Sequence, residues 1–170
     1  MHNQIDTLKT ILSQYTDGPA QLESALAGLA ETDLDLALSP DSWSIRQIAH
    51  HLVDGDDIWK TCIKTALGNS DALFSLQWYT VKPQMEWSES WAYARRDLDS
   101  SLALFRANRR HIVDLLEHIP GACEKSVRLH RPEKPEIRIT VFDVLELHVQ
   151  HLAAHITDIR AILQAHGKQL

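Results

Sequence analysis

Apolar residues return every three or four positions along four long stretches of this chain, and that spacing constrains its fold more than any other feature. Positions three and four apart share one face of an α-helix, so each stretch reads as an amphipathic helix. The first carries Ile5, Leu8, Ile11, Leu12 and Tyr15, is interrupted at Asp17-Gly18-Pro19, and resumes with Leu22, Leu26 and Leu29. An internal proline removes a ladder hydrogen bond, so this helix is expected to break or kink near Pro19. The second opens on Ser44 and Gln47, spaced as a capping box, and carries Ile45, Ile48, Leu52, Gly55, Trp59, Cys62, Ile63 and Ala66 before Gly68-Asn69 closes it. The third is expected to open at Ser88 and carries Trp91, Leu98, Leu102, Phe105, Ile112, Leu116 and Ile119, up to the stop at Pro120-Gly121. The fourth follows a second capping-box pair, Thr140 and Asp143. Its stripe is Val141, Val144, Leu145, His148, Leu152, His155, Ile159 and Leu163.

No stretch alternates convincingly enough to predict a strand. Four helices with one stripe each pack most economically as an all-α four-helix bundle. The connections from Gly68 to about Trp87 and from Ala122 to Ile139 are long, and Pro132 and Pro135 keep the second non-helical. Long connections permit parallel crossovers, as in an up-down-down-up bundle. At 170 residues, positions 1–170 are expected to form one domain.

A formal net charge of −6 opposes a nucleic-acid backbone partner, which calls for a basic face. Two cysteines, Cys62 and Cys123, make no disulfide framework. No window approaches about 18 consecutive apolar residues, the length of a membrane span. There is no secretory leader pattern, so a cytoplasmic location is expected.

The chemistry-bearing residues are histidines. His151 and His155 lie four apart on the fourth helix and can aim two imidazoles at one point. On the second helix, helical phase puts His51 at the edge of the apolar stripe and sends His50 to the opposite side. Three imidazoles from two facing helices, with one position left open, form the catalytic type of divalent-metal site. Imidazole suits zinc, nickel, iron and copper. The competing reading is three semi-buried core histidines. His148 could replace one ligand, act as an outer partner, or serve as a general base. A fourth ligand from a loop, such as His130 or Asp71, would close the site and favour a structural metal.

Asp54 is one turn from His51 but leaves the stripe, and is expected at the surface or the rim. Cys62, about 16 Å along the helix from His51, reads as a small core residue. Trp59 and Trp91 read as core and Trp43 as a staple on the second helix. Trp78, Tyr79 and Trp87 either line a pocket or anchor a loop. Arg128, His130 and Arg131 read as a solvated charge cluster, with an anion site as the alternative.

At these residues the chain resembles the DinB/YfiT-like superfamily of metal-binding four-helix bundles. The resemblance lies in Trp43-Ser44-Ile45-Arg46-Gln47-Ile48-Ala49-His50-His51-Leu52, in His151-Leu152-Ala153-Ala154-His155-Ile156-Thr157, and in Gly18-Pro19 followed by Leu22, Leu26 and Leu29. It implies one divalent metal, commonly zinc or nickel, held by His51, His151 and His155, and often a homodimer. It also implies a metal-dependent hydrolase or an S-transferase that uses a low-molecular-weight thiol, acting on a small molecule. The alternative is a non-enzymatic metal-binding or stress-related bundle.

Overall fold

A computed structural model describes residues 2–132 and 134–168. Its long helices are α1 (His2–Leu26), α2 (Ile45–Gly68), α5 (Asp99–His118) and α6 (Val141–Ala165). The connections hold the short helices α3 (Gln77–Thr80) and α4 (Gln84–Ser90) and the strands β1 (Leu73–Ser75), β2 (Ser126–His130) and β3 (Ile137–Thr140). Both capping boxes form as their spacing predicts: Ser44 accepts from the Gln47 amide and Thr140 from the Asp143 amide. These caps fix where α2 and α6 begin, and therefore which side chains face inward.

The long helices form a four-helix bundle in which α1 packs on α6 and α5, and α2 packs on α5 and α6. Pairing partners give the directions. Along α1 and α5, Tyr15 meets Arg109 while Glu23 meets Arg106, so the two run antiparallel. Along α2 and α5, His50 meets Ser101 and Asp56 meets Arg109, so these run parallel. Across α2 and α6, His51 meets His151 and Asp56 meets His148, an antiparallel pair. The order is therefore up-down-down-up, with the parallel α2–α5 step carried by the long connection.

Three expectations need correction. α1 runs as one helix through Pro19, so the chain does not break there. The third bundle helix opens at Asp99, not Ser88; Trp91 falls in a turn after α4 and belongs to no bundle stripe. The connections also contain a small sheet, β1 parallel to β2 and β2 antiparallel to β3. In β2, Val127 and Leu129 are buried while Arg128 is exposed, a period-two pattern too short to stand out in the sequence.

The core divides into two apolar clusters. One gathers Leu22, Leu52, Phe105 and Leu152; the other gathers Tyr15, Ile63, Ile112 and Leu145. Between them each long helix contributes one position to a polar layer: Gly18, Asp56, Arg109 and His148. Arg109 Nε donates to Asp56 Oδ1 at 3.1 Å, and its Nη1 donates to the Tyr15 carbonyl at 3.0 Å. The guanidinium also lies over the Tyr15 and Phe105 rings, 4.3 and 4.5 Å from their centroids. Tyr15 is the residue four before Pro19, so its carbonyl is the one the proline leaves without a ladder donor. Arg109 supplies that donor, and α1 continues.

Gly18 makes the space for this arrangement. A Cβ there would stand 2.1 Å from Arg109 Nη1 and 2.9 Å from Leu152 Cδ2. Gly→Ala inside a helix ordinarily stabilises by about 1 kcal/mol. At Gly18 the sign reverses. Gly18→Ala is expected to cost about 2–4 kcal/mol through overpacking and loss of the Tyr15 hydrogen bond. Urea unfolding checks this, and a stabilised variant would contradict it.

Candidate metal centre

The site is built on the α2–α6 seam. Arg46, 4 % exposed, clamps the approach to α2: it donates to Asp35 at 2.9 Å, to the Glu31 carboxylate at 2.6 Å and to the Arg96 carbonyl at 3.3 Å. Five residues along, His51 turns toward α6. Its Nε2 lies 3.1 Å from His151 Nε2, which lies 3.1 Å from His155 Nε2. One ligand atom from each falls within 4.8 Å of the others, and among the described residues no fourth His, Cys or carboxylate joins them. Trp43 covers the cluster, with its ring 4.4 Å from His51 and 6.2 Å from His155. A cleft of about 270 Å³ opens beside it, lined in part by Trp43, His155 and Asp158.

Asp158 was not anticipated. Its Oδ2 accepts a 2.9 Å hydrogen bond from His155 Nδ1. A carboxylate only accepts, so the proton of a neutral His155 sits on Nδ1 and its Nε2 presents a bare lone pair to the cluster. The available signal was a carboxylate three residues beyond a candidate ligand.

Burial pushes His51 down to about 3, helped by the charges of His151 and His155. Burial likewise pushes His151 down to about 4, with His155, His148 and Arg109 adding to it. Both rings are therefore neutral at physiological pH and offer nitrogen lone pairs. Two nitrogens 3.1 Å apart can each reach a single zinc-like ion at about 2.0–2.1 Å. The donor set, its protonation and the orienting carboxylate all fit a divalent metal.

The same shifts give a pH prediction for the metal-free protein. The unfolded chain titrates these rings near 6.5, so between about 6.5 and 4 it binds more protons than the folded chain. Stability is then complete above 6.5 and falls as pH drops. Urea midpoints between pH 7.5 and 4.5 are expected to fall more steeply for the wild type than for His51→Gln/His151→Gln. Identical slopes would contradict the assignment. A second prediction concerns Asp158→Asn, which is expected to weaken metal affinity about 10–100-fold while leaving thermal unfolding of the apo form unchanged. Competition with a chromophoric chelator measures it.

The other histidines lie elsewhere. His50 does not face away from the core as helical phase predicts: α2 is covered by α5 as well as α6, so the ring is fully buried, its nitrogens 2.9 Å from Ser101 Oγ and 3.2 Å from the Arg96 carbonyl. His148 sits in the polar layer, 4 % exposed, with Nδ1 3.0 Å from Asp56 Oδ1. That contact is close but poorly aligned for a hydrogen bond. Asp71 pairs with Arg138 at the surface and His130 is in β2, so neither reaches the cluster. Cys62 is 1 % exposed and its thiol is raised to about 12 by burial, as a core residue should be. Arg128 pairs with Glu136.

Comparison with known proteins adds a family match, two relatives and one solved structure. The family model described as the DinB superfamily matches residues 14–159. A Bacillus cereus protein named "Putative metal-dependent hydrolase" is 28 % identical over 160 residues, covering 91 % of this chain and 86 % of its own. A Bacillus mycoides protein of the same description is 27 % identical over 154 residues, covering 88 % and 83 %. Among solved structures, YfiT from Bacillus subtilis superposes with a TM-score of 0.82 at 22 % identity, over 96 % of this chain and 90 % of that one. It is described as a probable metal-dependent hydrolase with an unusual four-helix bundle topology.

Proposed function

We propose, given that this chain belongs to the DinB superfamily, that it is a metal-dependent hydrolase of a small molecule, with His51, His151 and His155 holding one zinc or nickel ion. The observation that carries the proposal is the convergence of three imidazoles within 4.8 Å with no fourth protein ligand among the described residues. A structural zinc site is ordinarily closed by four protein ligands, whereas an open one leaves room for a reactant. The names of the relatives support the hydrolase class.

The bound ion would supply Lewis-acid chemistry and make water, or a thiol, nucleophilic near neutral pH. The protein's own groups prepare that role. Burial keeps His51 and His151 neutral, and Asp158 fixes the tautomer and direction of His155. Trp43 shields one side of the cluster while the neighbouring cleft admits a reactant. No helix of the described residues is long and apolar enough to cross a membrane. The proposal includes a single cytoplasmic domain that pairs as a homodimer, checked by light scattering.

The test is turnover of p-nitrophenyl esters and anilides by zinc- or nickel-loaded protein, with and without a low-molecular-weight thiol. A metal-dependent hydrolase cleaves without the thiol and loses activity in His155→Ala. Consumption of an electrophile only when thiol is present would replace hydrolase by S-transferase. Metal retention with neither activity would favour the non-enzymatic reading.

A further inference from the structure

The connection between α2 and α5 folds its aromatic residues into one continuous cluster on the outer side of α2. Tyr79 stacks on Trp87 at 5.6 Å and on Trp91 at 6.1 Å, and Trp87 meets Trp91 at 5.0 Å. Trp78 meets Trp87 at 5.7 Å, and Trp91 continues to Tyr93 at 6.0 Å. Trp87 Nε1 donates to the Tyr79 carbonyl at 2.7 Å, which ties α4 to α3. Tyr93 in turn packs on His50 of α2, 5.3 Å away. The cluster is therefore anchored to the bundle, yet its outer member stays open: Trp78 is 51 % exposed.

Between these rings and α2 lies a cleft of about 510 Å³, lined by Asp54, Asp57, Ile58, Trp78, Trp91 and Arg96. That volume falls in the range of small-molecule sites, roughly 300–1,000 Å³. Two indole rings and two carboxylates border one space. Asp54 takes a hydrogen bond from the buried Tyr93 hydroxyl, and its one charged partner is distant: Oδ2 lies 3.6 Å from an Arg96 guanidinium that is itself 41 % exposed. Both contacts to Asp57, from Lys60 and from Asn108, fall on Oδ1. The aromatic cluster already holds cations at its faces: Lys82 Nζ lies 5.4 Å from the Trp87 ring, and Arg96 lies 6.0 Å from the Tyr93 ring.

We infer that this cleft is a binding site for an organic cation, a substituted ammonium that seats against the Trp78 and Trp91 rings with Asp54 as its counter-charge. Ring faces attract cations through their quadrupole, most strongly when the cation is poorly hydrated. A carboxylate beside the rings adds charge selectivity that an apolar slot would lack. The chain's net charge of −6 favours approach of a cation. Asp54 follows His51 by three residues, so the cleft begins one turn along α2 from the three-histidine cluster. The inference does not depend on the metal or on hydrolysis, because binding is measured directly.

The experiment is calorimetric titration of the full chain with benzyltrimethylammonium, and separately with benzyl alcohol as an uncharged probe of similar ring size. Saturable binding of the cation, about tenfold or more tighter than the alcohol, is expected. Asp54→Asn keeps the side-chain shape while removing the charge, and is expected to weaken the cation about tenfold and leave the alcohol unchanged. Trp91→Ala is expected to weaken it comparably, and His151→Ala/His155→Ala to leave it unaltered. Equal binding of the two probes, no saturation with the cation, or full affinity in a folded Asp54→Asn protein would overturn the inference.

Discussion

Arg109→Ala is expected to lower folding stability by about 3–5 kcal/mol, the usual cost of leaving one partner of a buried ion pair alone. Arg109 and Asp56 have side chains only 3 % and 2 % exposed, so water cannot replace what is lost. Three groups lose a contact together: the Asp56 carboxylate, which keeps only the poorly aligned His148 ring beside it, the Tyr15 carbonyl freed by Pro19, and the faces of Tyr15 and Phe105. Stabilities of folded domains are only about 5–15 kcal/mol, so the variant is expected near the edge of folding. For a chain of this size the loss corresponds to a melting temperature lower by roughly 6–20 °C. A companion variant separates charge from shape. Asp56→Leu/Arg109→Met removes both charges and is expected to recover much of the loss, because apolar replacement of a buried pair is often neutral. An Arg109→Ala protein that melts within about 2 °C of wild type would contradict this account of the polar layer.

Much of the bundle is legible in the sequence because its signals are local. Ser44 with Gln47 and Thr140 with Asp143 each lie three residues apart, and helix phase follows from them. Phase places His51 toward α6, but it misleads for His50, which is fully buried because α5 and Tyr93 cover that side of α2 as well. Pro19 misleads because its rescue is non-local: Arg109 is distant in sequence, and nothing near Pro19 announces it. The polar layer leaves one readable trace. Arg109 falls in phase between Phe105 and Ile112, and Asp56 four after Leu52, so charges occupy apolar positions on two neighbouring helices. The start of the third bundle helix is misplaced because Trp91 happens to match the stripe, while its packing is with the aromatic cluster. β1 is three residues long, below the length at which alternation is informative, and β3 at four residues only just reaches it.

The second large effect is on metal content. Removing His151 and His155 leaves His51 as the only imidazole of the cluster, and one neutral ligand does not hold a divalent ion against buffer and water. His151→Ala/His155→Ala is therefore expected to lose metal altogether. It should keep a folded bundle, because neither ring belongs to the two apolar clusters. His50→Ala supplies the opposite control. It is expected to retain metal but to melt lower, since it removes a fully buried ring bonded to Ser101 and the Arg96 carbonyl. If His50→Ala loses the metal and His51→Ala keeps it, the assignment of the α2 ligand is wrong.

The most direct test is elemental analysis by mass spectrometry of wild type and His151→Ala/His155→Ala, both prepared without nickel affinity and then offered zinc and nickel. The three-histidine site predicts about one metal ion per wild-type chain and none in the folded variant. Wild-type protein that neither carries nor takes up metal would leave His51, His151 and His155 as neutral packing groups and contradict the proposed function.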